Sequence, residues 1–287
     1  GHAYDESVAK LVAQGLEDAE IFESVAVADI QAACDLFRDL YDASNGGDGF
    51  VSIEVSPLGA RDAERTATEA RRLWRSVNRP NLMVKIPGTV EGSPVVQQML
   101  DEGININITL LFSVAAYERV ARAYIAALKA RQARGESIDR IASVASFFVS
   151  RVDALVDKQL DALIASTTDE AKRAELAALK GKAAIANAKL AYKAFQEIFS
   201  GPEWEALAAA GAKVQRPLWA STSVKNPSYP DTLYVDELIG PDTVNTMPRP
   251  TVIAFLDHGT VARTIDTGMQ EAAETMEALA AAGIHLD

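Results

Sequence analysis

The strongest constraint on the fold of this chain is a repeated exchange between two periodicities. Short runs of β-branched and other apolar residues, at 50–55, 81–86, 104–109, 141–149, 217–221 and more weakly 243–247, alternate with longer amphipathic stretches. Those stretches, at 62–77, 93–102, 114–134, 152–166 and 171–199, together with 5–14 and 18–42 ahead of the first run and 258–282 at the end, read as helices. In 18–42, for example, Ile21, Val25, Ala28, Ala32, Leu36 and Leu40 recur at three or four positions, the spacing of one helix face. Near-continuous apolar strands joined through helices predict a parallel sheet covered by helices outside.

Two architectures meet that requirement, an open doubly wound sheet and a closed (β/α)8 TIM barrel. No Gly-x-Gly-x-x-Gly follows the first strand, so the dinucleotide-binding form of the open sheet loses support. Glu54, Lys85, Asn107, Thr109, Ser146 and Ser221 sit in or at the ends of otherwise apolar strands and come from five of them. Barrel active sites are assembled in that way, from the C-terminal ends of several strands. The expected fold is therefore α/β, a (β/α)8 TIM barrel forming a single domain over 1–287. Six strands are readable, not eight: either two are hidden in segments that read as helix or, as the abrupt start in a helix favours, the first two strands of the expected barrel fall outside the given sequence.

Composition narrows the partners. Of 287 residues, 40 are acidic and 28 basic, giving a formal net charge of −12, which argues against nucleic acid and anionic membrane surfaces. Two or three local cations still suffice for a small phosphorylated substrate. The single cysteine, Cys34, rules out an intramolecular disulfide or a cysteine cluster, and its helical context reads as a small buried hydrophobe. Three scattered histidines give no basis for a histidine-built metal site. No apolar run approaches the roughly 18 residues of a membrane span, and the first residues do not form a signal peptide, so a cytoplasmic location is expected.

Lys85 is the leading candidate for chemistry. It lies between Met83, Val84 and Ile86, where an ammonium is poorly solvated and a free amine can attack a carbonyl. The structural alternative is a lysine snorkelling to solvent or paired with a carboxylate. Glu54 holds a comparable place one strand earlier and either moves protons for the amine or forms that salt bridge. Both readings put the two side chains in one pocket. Asn105, Asn107 and Thr109 share one face of their strand by the alternation of side chains. Such a polar row suits ligand hydroxyls or a held water, or else satisfied groups of an interior layer. Arg151, after the fourth strand, and Ser221, Ser223 and Lys225, after the fifth, offer cations and hydroxyls for a phosphate, with ordinary exposed cations as the alternative. Gly88 and Gly92 read as turn glycines.

These motifs resemble those of the transaldolases. The likeness is carried by Val-Ser-Ile-Glu-Val-Ser-Pro at 51–57, Asn-Leu-Met-Val-Lys-Ile-Pro at 81–87 and Gly-Ile-Asn-Ile-Asn-Ile-Thr-Leu-Leu-Phe-Ser at 103–113. It continues in Ala-Ser-Phe-Phe-Val-Ser-Arg-Val-Asp at 145–153 and Leu-Trp-Ala-Ser-Thr at 218–222. The run at 238–248 and the Lys-Asn-Pro at 225–227 resemble in particular the long bacterial, actinobacterial-type branch. The resemblance implies a class I aldol mechanism without metal or organic cofactor, in which Lys85 forms the Schiff base. It implies that Glu54 and Thr109 hold a water for proton transfer, that Asn107 contacts the intermediate, that Ser146 lines the channel, and that Arg151 and Ser221 belong to the phosphate site.

The implied reaction moves a dihydroxyacetone unit from sedoheptulose 7-phosphate to glyceraldehyde 3-phosphate in a monomer or homodimer. A fructose-6-phosphate-type aldolase and an inactive barrel fragment with a structural role are the alternatives. The Glu54 and Thr109 pair favours the transferase, because the simple aldolases tend to use a tyrosine in proton transfer. Two departures stand out. Lys225 takes the place where many members carry an arginine, and a lysine lacks the bidentate fork. The first-strand aspartate and second-strand Thr-x-Asn of the family have no match before Glu54, since Asp5, Asp29 and Asp35 lie in helical contexts. The family's terminal helix is likewise expected beyond Asp287.

Overall fold

The computed structural model describes residues 2–286. Helices α1 (Asp5–Ala13), α2 (Asp18–Leu36) and α3 (Arg38–Ala43) precede β1 (Val51–Glu54). Strand and helix then alternate through α4 (Ala63–Val77), β2 (Leu82–Pro87), α5 (Gly92–Asp101), β3 (Ile106–Leu111), α6 (Val114–Ala133) and β4 (Ser143–Phe148). Four helices follow, α7 (Val149–Ser166), α8 (Glu170–Ala177), α9 (Ala183–Ile198) and α10 (Gly201–Ala209), before β5 (Arg216–Ala220). The chain continues through α11 (Leu233–Asp236), β6 (Val244–Asn245), α12 (Arg249–His258) and α13 (Met269–Ala281).

The strands form one curled sheet in the order β1-β2-β3-β4-β5-β6, parallel at every pairing. Sequential order with helical crossovers is how a TIM-barrel sheet is laid down, and the described residues make a six-stranded arc of it. Local signals set the element ends. The Asp62 carboxylate accepts from Arg65 N to cap α4, which closes at Asn78 in the left-handed region (φ 49). Ser113 caps α6 in the same manner, accepting from Ala116 N.

Alternation along the strands divides the buried side chains into two layers. Ile53, Val84, Ile86, Ile106, Ile108, Ala145, Phe147 and Trp219 pack outward into the main core with the helices. Each fully buried aliphatic side chain there contributes roughly 1.5–3 kcal/mol. Met83, Val144 and Leu218 face the other way and form a smaller cluster with Ala142, against which Phe50, Ala220 and Val244 pack. This second layer is the floor on which the polar residues of the strand ends stand.

Several expectations change. The helix expected over 18–42 divides at Phe37, after which Tyr41 turns inward to 4% exposure while Leu36 stays exposed. The helix expected over 171–199 divides into α8 and α9 around Gly181, which has φ +70; a Cβ there would stand 2.7 Å from the Tyr229 ring. The turn is therefore built for close approach of that ring. Helices α10 and α12 were not anticipated, each starting with a proline in its first turn. The final helix starts at Met269, after α12 and an intervening turn, and not at 258. Asn105 precedes β3 and is a structural group: its Nδ2 donates to Pro80 O at 3.2 Å and Leu82 O at 3.1 Å, and its Oδ1 accepts from Ala142 N at 2.9 Å.

Candidate active site

The sheet register brings the strand-borne polar residues side by side. Glu54 pairs with Lys85 across β1 and β2, and Lys85 with Asn107 across β2 and β3. Lys85 Nζ lies 2.9 Å from Glu54 Oε2, with the two side chains 26% and 46% exposed. The apolar setting read around Lys85 thus belongs to its strand neighbours, while its amine is carried out to a carboxylate at the rim. Salt bridge and shared site coexist in this geometry.

Beneath that pair is a cavity of about 400 Å³ lined by Lys85, Asn107, Thr109 and Ser146, with Ser52, Met83, Val144 and Leu218 among its walls. The Asn107 amide is oriented from both sides. Its Oδ1 accepts from Ser146 Oγ at 2.7 Å, and its Nδ2 donates to Ser52 Oγ at 3.1 Å. Thr109 is fully buried, and its hydroxyl meets no protein partner. A hydroxyl so placed on a cavity wall is open to a water or to a ligand hydroxyl. The strand is also distorted there: Leu110 has φ 60, and the pairing of β3 with β4 shifts register between Ile108 and Leu111. Irregularities of this kind re-aim side chains beside functional sites.

The four residues expected to hold phosphate lie apart from that cavity, in the first turn of α7 and in the segment that follows β5. Arg151 stands exposed in the first turn of α7, its guanidinium 4.6 Å over the Phe148 ring, within the range of a cation–π contact. Ser221, at the end of β5, has φ 55. It is joined to the same turn twice, by Ser150 N donating to its carbonyl at 3.1 Å and by an Oγ to Oγ hydrogen bond of 3.0 Å with Ser150. Lys225 Nζ donates to Ser223 Oγ at 2.7 Å. Lys225 lines a separate cavity of about 330 Å³ beside α7 and not the one under Lys85.

Ser52, Phe148 and Arg216 join these groups with only weak signals in the sequence. The two-residue alternation back from Glu54 marks Ser52, and from Ser146 it marks Phe148. Arg216 opens β5 and looks like an ordinary strand-end cation, yet it lines the cavity with a buried, unpartnered Nε. Among the described residues no group of three or more histidine, cysteine, aspartate or glutamate side chains is arranged to hold a metal ion. No helix among them is long and apolar enough to cross a membrane.

An amine, a carboxylate, hydroxyls and an amide are thus brought together from adjacent parallel strands by their register, and they form the candidate site. Comparison with known proteins gives the class. The family described as transaldolase/fructose-6-phosphate aldolase matches residues 1–287. Among similar proteins, Transaldolase 2 of Nostoc sp. is 51% identical over 285 residues, covering 99% of this chain and 75% of that protein. The transaldolase of Trichodesmium erythraeum is 51% identical, covering 96% and 73%, and that of Thermobifida fusca is 49% identical, covering 100% and 76%. The chain belongs to the transaldolase/fructose-6-phosphate aldolase family and is a transaldolase-type enzyme of sugar-phosphate metabolism. Near-equal identity to relatives from such different sources supports membership of the family as a whole, not of one branch.

Proposed function

We propose that this protein transfers a dihydroxyacetone unit from sedoheptulose 7-phosphate to glyceraldehyde 3-phosphate, giving erythrose 4-phosphate and fructose 6-phosphate, through a Schiff base on Lys85. The observation that carries this reading is the position of Lys85 Nζ, 2.9 Å from a carboxylate and over a cavity lined by oriented polar groups. The neutral amine adds to the C2 carbonyl, and loss of water gives an iminium. Removal of the C4 hydroxyl proton breaks the C3–C4 bond, sends its electron pair into the iminium and releases an aldose phosphate. The enamine left on Lys85 then attacks the aldehyde carbon of the acceptor, and water hydrolyses the new iminium to free the amine.

In this reading Glu54 relays protons through a water shared with the Thr109 hydroxyl. Asn107, oriented by Ser52 and Ser146, binds a hydroxyl of the dihydroxyacetone unit, and Ser146 lines its path. Arg151, Ser221, Ser223 and Lys225 hold the phosphate beside the first turn of α7, where helix polarity also favours an anion. The sheet is read as six strands of a (β/α)8 barrel forming one domain over 1–287. The same reading carries a cytoplasmic setting and a monomer or homodimer.

A pre-steady-state assay separates transfer from simple cleavage. With fructose 6-phosphate alone, the proposal predicts a burst of glyceraldehyde 3-phosphate no larger than the active-site concentration, and sustained turnover only after erythrose 4-phosphate is added. Continuous release without an acceptor would identify an aldolase instead. No burst and no turnover from the folded protein would support a structural role.

A further inference from the structure

The groups proposed to hold phosphate lie on two pieces of chain, the first turn of α7 and the segment after β5. A parallel sheet fixes the strand ends but not the distance between a helix turn and the loop that follows the next strand. Here that distance is held from both ends of the loop. At the near end, Ser221 is bonded to Ser150 through main chain and side chain. Farther along, two buried aspartates one turn apart on α7 hold the chain with one repeated design. Asp153 accepts from Ala184 N at 2.8 Å with one oxygen and from Tyr234 OH at 2.7 Å with the other. Asp157 accepts from Gly181 N at 2.9 Å and from Tyr229 OH at 2.6 Å.

Each carboxylate thus ties α7 to the start of α9 on one side and to a phenol of the β5–β6 connection on the other. Two carboxylates this close repel each other and lose hydration, and among the described residues neither forms an ion pair. Apolar packing would stabilise the same contact at less cost; what the carboxylates add is a defined position. Gly181 supports this, because a side chain there would collide with the Tyr229 ring at 2.7 Å.

We propose that Asp153 with Tyr234 and Asp157 with Tyr229 are positioning pairs that set the reach between Arg151 and the 221–225 segment, and thereby the affinity of the enzyme for the phosphate of its substrates. The proposal rests on the phosphate-site reading given above. None of the four side chains is proposed to touch the substrate.

The test uses Tyr229→Phe, Tyr234→Phe and their double variant, which remove the hydroxyls and retain the rings, with Arg151→Ala and Lys225→Ala as references. The readouts are kcat and KM for fructose 6-phosphate, the inhibition constant of inorganic phosphate, and the melting temperature. Each single phenylalanine variant is expected to raise the KM and the phosphate inhibition constant together by about tenfold, the size of one lost charge-assisted hydrogen bond, with kcat falling by less than about twofold. A fall in kcat with both constants retained, or a lowered melting temperature as the sole change, overturns the proposal. Unchanged phosphate inhibition in both reference variants overturns the phosphate-site reading itself. If one phenylalanine variant does not fold, the other carries the same comparison.

Discussion

Thr109 concentrates the residue-scale argument. Its hydroxyl is buried without a protein partner, beside a leucine held at φ 60, which leaves it open to the water of the proposed proton relay. Thr109→Val removes the hydroxyl at nearly constant volume. The unfolding free energy is expected to change by no more than about 1.5 kcal/mol, the size of one hydrogen bond to a held water. Turnover is expected to fall by about 10²-fold or more as proton relay fails. Urea unfolding and steady-state assays on the same preparation check both, and a folded variant that keeps its turnover would contradict the assignment. Lys85 and Glu54 were legible because ionisable side chains rarely interrupt apolar strands. Ser52 was not, because a serine in a strand is common and its partner Asn107 is 55 positions away.

Among the elements, the strands were the most readable and the helices around α7 to α10 the least. Strand runs announce themselves by β-branched residues and by what they exclude. The stretch 171–199 is uniformly rich in good helix formers, and the break at Gly181 depends on a tyrosine far along the chain. Propensity alone contains no trace of that approach. Asn105 makes the opposite point, since its strand parity suggested a site residue while its three hydrogen bonds tie together the starts of β2, β3 and β4. Asn105→Ala is therefore expected to lower stability by about 2–4 kcal/mol, because it leaves buried main-chain groups unpaired. Denaturant titration measures that loss. Little loss of stability together with a large rise in KM would return Asn105 to the substrate site.

At the scale of the whole molecule, the α/β class and the parallel sheet follow from the alternation, and the gathering of Glu54, Lys85, Asn107 and Ser146 follows from parallel register. The buried aspartates give the fold a pH dependence that composition does not foretell. Burial pushes the Asp153 carboxyl up to about 6 from 3.8, with a smaller upward push from Asp157 and opposing hydrogen bonds from Tyr234 and Ala184. Tyr229, Lys158 and Lys225 line the same cavity. A carboxyl raised in the folded state binds its proton more tightly there. Its contribution to stability is full below about pH 4 and is lost as the pH rises through about 6. Through this group stability should fall by up to about 3 kcal/mol over that window, and Asp153→Asn should remove the slope. Urea unfolding of both proteins across the window checks the sign.

The central claim is a covalent one, that Lys85 carries the dihydroxyacetone unit. Borohydride reduction in the presence of fructose 6-phosphate, followed by peptide mass analysis, tests it most directly. The expected result is a reduced three-carbon adduct on Lys85, absent when substrate is omitted and absent in Lys85→Met. An adduct on another lysine, or inactivation of the folded enzyme by neither reagent nor substitution, would contradict the assignment.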